Sequence, residues 1–199
     1  MGQDQLHIMA VVGSLKAQSV NRVVLRYLSE KLQGDGCTVD FLDLAAEPLD
    51  LFNPDSTKKG PGYSRLQPRV QSADIFILGS PDYHGAISGA MKNFLDYFWG
   101  EFAGKLFVPV VASHEKGLTV IDQLRTIARQ CYAWILPYGV SAAEKADVVD
   151  GKIVSRSLLD RLDMVARDAR VYGALLARQR REDLACNDCS YLAKYRKKP

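Results

Sequence analysis

Nowhere in the 199 residues does an apolar run reach the roughly 18 residues of a membrane span. The start, Met1-Gly2-Gln3-Asp4-Gln5, lacks the basic-then-apolar order of a secretory signal, and Leu6 stands where a myristoylation motif needs a hydroxyl residue. An excess of one charge is missing too: 26 basic against 23 acidic residues leave a net +3. That balance favours neither a nucleic-acid partner nor a membrane surface, and it argues against an acidic electron carrier that docks on basic partners. Cysteines number four, and without a secretory signal they are expected as thiols, with Cys37 and Cys131 in the core. Cys186-x-x-Cys189 has no second C-x-x-C or H-x-x-H to complete a zinc set, so no metal is expected. A dinucleotide G-x-G-x-x-G and a Walker G-K-S/T are both absent. The expectation is a cytoplasmic protein that needs neither a nucleic acid nor a membrane.

What is present suits one globular domain, with 47% hydrophobic and 25% charged residues. Residues 7–12 read as a buried strand that stops at Gly13. Residues 20–33 read as a helix, with Val20, Val24, Leu28 and Leu32 on one stripe and Arg22, Arg26, Glu30 and Lys31 facing out. Residues 37–43 alternate as a second strand. Residues 44–62 hold Pro48, Pro54 and Pro61 and read as a long functional or mobile loop, with a short helix after it over 63–72. The continuous apolar run over 75–79 fits a strand buried on both faces. A loop over 80–85, a helix over 87–98, a strand over 106–112, a loop over 113–117 and a helix over 118–131 follow. A fifth strand spans 133–140, ended by Gly139, then a turn at Asp150-Gly151-Lys152 and a last helix over 155–178. Residues 179–199 change to charge-rich composition and read as a C-terminal arm or disordered tail beyond a domain over 1–178.

Strands alternating with helices predict an α/β three-layer sandwich. Its five-stranded parallel sheet takes the flavodoxin-like order 2-1-3-4-5, with helices on both faces. In such a sheet a ligand sits at the carboxyl ends of the strands. The loops at 13–19, 80–85 and 113–117 leave that edge and form the candidate site. The first is a strand, a loop and a helix N-terminus, which presents free backbone N–H groups and a positive dipole end to an anion. Ser14, Ser19 and Asn21 add donors and Lys16 a charge; with one glycine, Gly13, the loop suits a single phosphate monoester. The second loop, Pro81 to Gly85, offers the flat side chains of Tyr83 and His84. A phosphate and a planar head together point to a mononucleotide such as FMN.

Gly13-Ser14-x-Lys16-x-x-Ser19-x-Asn21 resembles the G-S-x-R-x-x-S-x-N loop of the NADPH-dependent FMN reductase family. Pro81-Asp82-Tyr83-His84-Gly85, followed by Ser88-Gly89-Ala90-Met91-Lys92-Asn93-Phe94-Leu95-Asp96, is similar to that family's P-E-Y-H/N-G-x-x-S-G-x-L-K-N-x-L-D. The resemblance covers roughly residues 7–175. It implies that Ser14, Lys16, Ser19 and Asn21 hold the FMN phosphate, within a loop completed by Gly13, Leu15 and Val20. It places Pro81, Asp82, Tyr83, His84 and Gly85 along the ring, and Ser113, His114, Glu115, Lys116 and Gly117 near its other side. Lys16 stands where the family has Arg and lacks the two-pronged guanidinium. Glu115 would bring a negative charge to an electron-rich ring unless it turns outward.

The resemblance further implies ping-pong hydride transfer from NADPH through FMN to a small acceptor such as a quinone or azo compound, with no catalytic side chain. Dimers or tetramers are implied as well, and the apolar helix around Phe94, Leu95, Tyr97, Phe98 and Trp99 is a candidate for burial by a partner subunit. Lys92, Asn93 and Asp96 read equally as a polar helix face or as braces of the flavin loop or a subunit interface. Lys58, Lys59 and Arg65 are candidates to clamp a 2′-phosphate. A flavodoxin-like electron carrier and a flavin-based redox sensor are the alternative functions.

Overall fold

The computed structural model describes residues 5–196 apart from the Lys59 side chain. Met1–Asp4, from the stretch read for a signal, and the basic end Lys197–Pro199 lie outside the described residues.

Six strands make one sheet. In it, β1 (His7–Val12) lies between β2 (Thr38–Asp43) and β3 (Ile75–Pro81), and β4 (Leu106–Ala112) pairs with β3, every pair parallel. The order 2-1-3-4-5 is the flavodoxin-like one that the alternation predicts. The fifth position, however, is filled in two pieces, β5 (Trp134–Ile135) and β6 (Val140–Ala142), both paired with β4. The single strand expected over 133–140 is therefore broken, and Gly139 lies inside the position rather than at its end. Between the two pieces Leu136–Gly139 face only Val108 and Pro109, so four residues oppose two. Pro137 and Pro109 both lack an N–H, so neither strand can donate a ladder bond from its proline here.

Two hydrophobic cores follow from strand alternation. Ile8, Ala10 and Val12 face α1 (Val20–Gly34) and α5 (Arg156–Ala185), while Met9 and Val11 face α2 (Pro61–Ser72), α3 (Gly89–Tyr97) and α4 (Leu118–Gln130). Cys37 and Cys131 are buried free thiols, and burial pushes Cys131 up to about 11. Beside α1, β7 (Val148–Val149) and β8 (Lys152–Ile153) form a hairpin turned by Asp150 and Gly151, both at positive φ.

Three expectations change. Phe94, Leu95, Tyr97 and Phe98 are buried in this chain's own core, and only Trp99 stays exposed, so the helix needs no partner to cover it. The long loop is tied down: Asn93 accepts from the Phe52 amide at 2.8 Å and donates to the Asp50 carbonyl at 2.9 Å, while Lys92 pairs with Asp96 at 2.6 Å. Asn93 thus braces this loop and not a flavin loop. Finally, α5 runs seven residues beyond Arg178. Gln179–Ala185 are mostly good helix formers, held by i,i+4 contacts such as Gln179 to Asp183 at 2.9 Å. After it the chain folds back and buries Leu192.

Candidate functional site

The three loops expected at the carboxyl edge do converge there, on a cleft of about 250 Å³. Ser14, Lys16, Ser19 and Val20 form one wall and Pro81, Asp82 and Tyr83 another; Ser113 and His114 close the third side. Gln18, Ala112 and Glu144 also line it, and none of these three was anticipated.

The first loop is seated from below. Gly13 is buried with its N–H donated to the Gly79 carbonyl at 2.7 Å, and an added Cβ would lie 2.8 Å from Met91 Cβ. Its φ is not positive, so glycine is needed for this close approach to β3 and α3 rather than for a sharp turn. Ser88 joins the first two loops: its hydroxyl donates to the Gly13 carbonyl at 2.6 Å and accepts from the Met91 amide at 3.1 Å as N-cap of α3.

The far end of this loop is held by Arg22, which sequence pattern assigned to solvent. Its guanidinium donates to the Lys16 and Ala17 carbonyls at 2.9 and 2.7 Å and pairs with Asp43 at 2.5 Å. Burial alone would raise Asp43; Arg22, joined by the Ala45 amide and Arg26, more than offsets it and holds the carboxyl below its usual range. Ser19 caps α1, accepting from the Arg22 amide at 3.4 Å. Leu15 is 62% exposed and points away from the cleft lining. Asn21 is 1% exposed, and neither its amide nitrogen nor its carbonyl oxygen has a hydrogen-bond partner.

The second loop is a tight hairpin. Tyr83 and Ala86 bond to each other through both N–H groups at 3.1 Å, and His84 and Gly85 occupy the turn at φ 57° and 75°. His84 and Gly85 therefore shape the loop without lining the cleft, whereas Tyr83 lines it and is 53% exposed. The Asp82 carboxylate turns inward, accepting from the Gly85 amide at 2.8 Å and from the Ser113 hydroxyl at 3.0 Å, which links loops two and three.

In the third loop Gly117 is the N-cap of α4 at φ 59°, where a Cβ would lie 2.7 Å from Val111 Cγ1. Glu115 is exposed and outside the lining, so its charge does turn away. Lys116 lines a separate cavity with Arg125 and Arg161. Across the cleft mouth Lys16 pairs with Glu144 at 2.9 Å, and the ammonium holds the Glu144 carboxyl below its usual range. Glu144 stands 128 positions from Lys16, so no local pattern announces it. Of the 2′-phosphate candidates, the Lys59 side chain lies outside what the structure describes, Lys58 lines a cavity elsewhere and Arg65 pairs with Glu47 at 3.7 Å.

Solved structures share this fold. The flavoenzyme NAD(P)H:(acceptor) oxidoreductase FerB from Paracoccus denitrificans superposes with a TM-score of 0.66 at 20% identity, over 81% of this chain and 96% of that one. An NADH:FMN oxidoreductase, EMOB, in its apo form superposes with a TM-score of 0.65 at 17% identity, over 86% and 89%. In sequence, an NADPH azoreductase of Bacillus sp. (strain OY1-2) is 28% identical over 152 residues, 74% of this chain and 82% of that protein. An FMN-dependent NADPH-azoreductase of Staphylococcus haemolyticus (strain JCSC1435) is 34% identical over 92 residues, 44% of this chain and 49% of that protein. Among the described residues no helix is long and apolar enough to cross a membrane. The profile described as NADPH-dependent FMN reductase matches residues 6–147, and the chain belongs to that family.

Proposed function

We propose that the cleft holds FMN, with its phosphate in the loop after β1 and its ring between the loops after β3 and β4. NADPH and a small flat acceptor, a quinone or an azo compound, then use the ring's open side in turn. One observation carries this reading: the Asn21 amide is buried and unpartnered at the positive end of α1. An unpartnered buried amide N–H costs about 1–3 kcal/mol, and although Asn21 lies just outside the cleft lining, a phosphate oxygen reaching its Nδ2 at that helix end would relieve it. Ser14, Ser19 and Lys16 supply further donors around it. Lys16 is free to serve because its bond to Glu144 is exposed, and exposed ion pairs are weak.

When bound, FMN would supply the hydride and electron transfer between NADPH and the second substrate, in ping-pong order. The chain's part is positioning. Arg22 and Ser88 hold the phosphate loop, Asp82 and Ser113 lock the ring-side loops together, and half-exposed Tyr83 offers a flat face to ring or acceptor. The test is NADPH absorbance in the purified protein with FMN and, in turn, a quinone and an azo dye. Parallel double-reciprocal lines are expected; no NADPH consumption with any acceptor overturns the enzyme reading in favour of an electron carrier. Lys16→Ala is expected to weaken FMN binding about tenfold, one charge-assisted contact. Unchanged affinity would remove Lys16 from the phosphate site.

Self-association as a dimer or tetramer belongs to the same proposal. An apolar groove between α3 and α4, lined by Ala86, Ile87 and Ile127, adjoins the Tyr83 hairpin and supports it. Sedimentation velocity showing only monomer at micromolar concentration would remove that part.

A further inference from the structure

At the opposite edge of the sheet, where β3 and β4 begin, a cavity of about 830 Å³ opens beside α2 and the last turns of α5. Five cations line it, Lys58, Lys105, Arg180, Arg181 and Arg196, against a single carboxylate, Glu101. Glu101 is already engaged, accepting from the Tyr63 hydroxyl and the Trp99 amide, both at 3.0 Å. Behind the lining Asp74 accepts from the His7 amide at 3.1 Å and lies 3.8 Å from Arg181. Among the described residues the cations lining the cavity thus outnumber the carboxylates.

Its two innermost cations stand out. Lys105 is 2% exposed, and its Nζ donates to the Val70 and Gln71 carbonyls at the end of α2, at 2.7 and 2.8 Å. Arg180 gives its Nε to the Ala103 carbonyl at 2.8 Å. Among the described residues neither has a carboxylate within ion-pair distance. Burial and then the neighbouring Arg180 charge push Lys105 down to about 7, and burial lowers Arg180 as well. Asp74 and Glu101 offset part of the repulsion at Lys105 and Asp74 part of it at partly buried Arg180, and an anion beside the two cations would offset the rest.

We propose that this cavity is a binding site for a small phosphorylated anion, separate from the cleft at the other edge of the sheet. Arg180, whose Nε is bound to Ala103, can meet phosphoryl oxygens with its Nη1–Nη2 fork, and Arg196, whose Nε and Nη2 donate within the chain, with Nη1. The segment beyond Arg178 forms one wall. Arg196 is held on the rim by the Asp183 and Asp188 carbonyls at 2.9 and 2.5 Å, and buried Leu192 anchors the fold-back. On this reading the C-terminal arm serves as part of a site.

The probe is inorganic pyrophosphate, titrated calorimetrically into the full chain with one equivalent of FMN at constant ionic strength. Saturable one-to-one binding is expected. Arg180→Gln lowers the affinity at least about tenfold, the loss of one charge-assisted contact. Lys58→Glu, at an exposed rim position whose side chain bonds to none of the described residues, lowers it about fivefold or more with the melting temperature unchanged. Flavin fluorescence stays constant through the titration. Absence of saturable heat, affinity equal to wild type in both variants, or release of flavin as pyrophosphate binds would each overturn the proposal. The last outcome would place the anion at the phosphate loop.

Discussion

Gly13→Ala is expected to cost about 2–4 kcal/mol of stability and to lower FMN affinity by two orders of magnitude or more. The new Cβ would lie 2.8 Å from Met91 Cβ and 3.1 Å from the Gly79 carbonyl oxygen. Neither neighbour is a flexible tip. Met91 Cβ is fixed to the α3 backbone, and the Gly79 carbonyl belongs to β3 and accepts the Gly13 N–H. Relief must come from the loop, which lifts off β3 and carries Ser14 and Lys16 with it. Urea denaturation and a flavin-fluorescence titration measure the two effects. Wild-type values in both would mean that the loop shifts without strain.

Ser88→Ala is the second large effect, and it acts without any clash. The hydroxyl caps α3 and donates to the Gly13 carbonyl in a position 3% exposed. Losing a cap costs about 0.5–2 kcal/mol, and leaving a buried carbonyl unpaired costs about 1–3 kcal/mol. A combined loss of about 2–4 kcal/mol is expected, with weaker FMN binding because the loop loses its tie to α3. Ser88→Thr keeps the hydroxyl and should recover most of both. If Ser88→Ala retains FMN affinity while losing stability, the link between the cap and the loop fails.

These residues illustrate how far the fold could be read from the chain. Ile75–Leu78 announce a strand buried on both faces because four apolar residues in succession have no polar side to expose. The helix after Ser19 is announced by its own period. Such signals are local, and they recover the element order and the three loops at one edge. What escaped depends on partners brought near only by folding. Arg22 falls on the polar face of its helix, yet Asp43, 21 positions on, meets it once β2 lies beside β1. Glu144 reaches Lys16 only after the chain has crossed the sheet. The break in the fifth strand needs Pro109 and Pro137 in adjacent strands, a register no single segment encodes. Gln179–Ala185 differ for another reason: their charge suggests a tail where propensity and i,i+4 contacts sustain a helix.

That broken strand also governs how the sheet meets a foreign strand. A long unpaired edge is a template for edge-to-edge addition and aggregation. On this side the chain offers a two-residue and a three-residue piece, separated by a stretch containing Pro137, so an incoming strand finds no continuous ladder to extend. The other edge, β2, has six residues in succession, but it carries Asp40 and Asp43, whose carboxylates are held by Arg69 and Arg22. Extension of the sheet from one copy into the next is thereby disfavoured at both ends, which leaves helical faces as the surfaces through which copies can assemble in an ordered way.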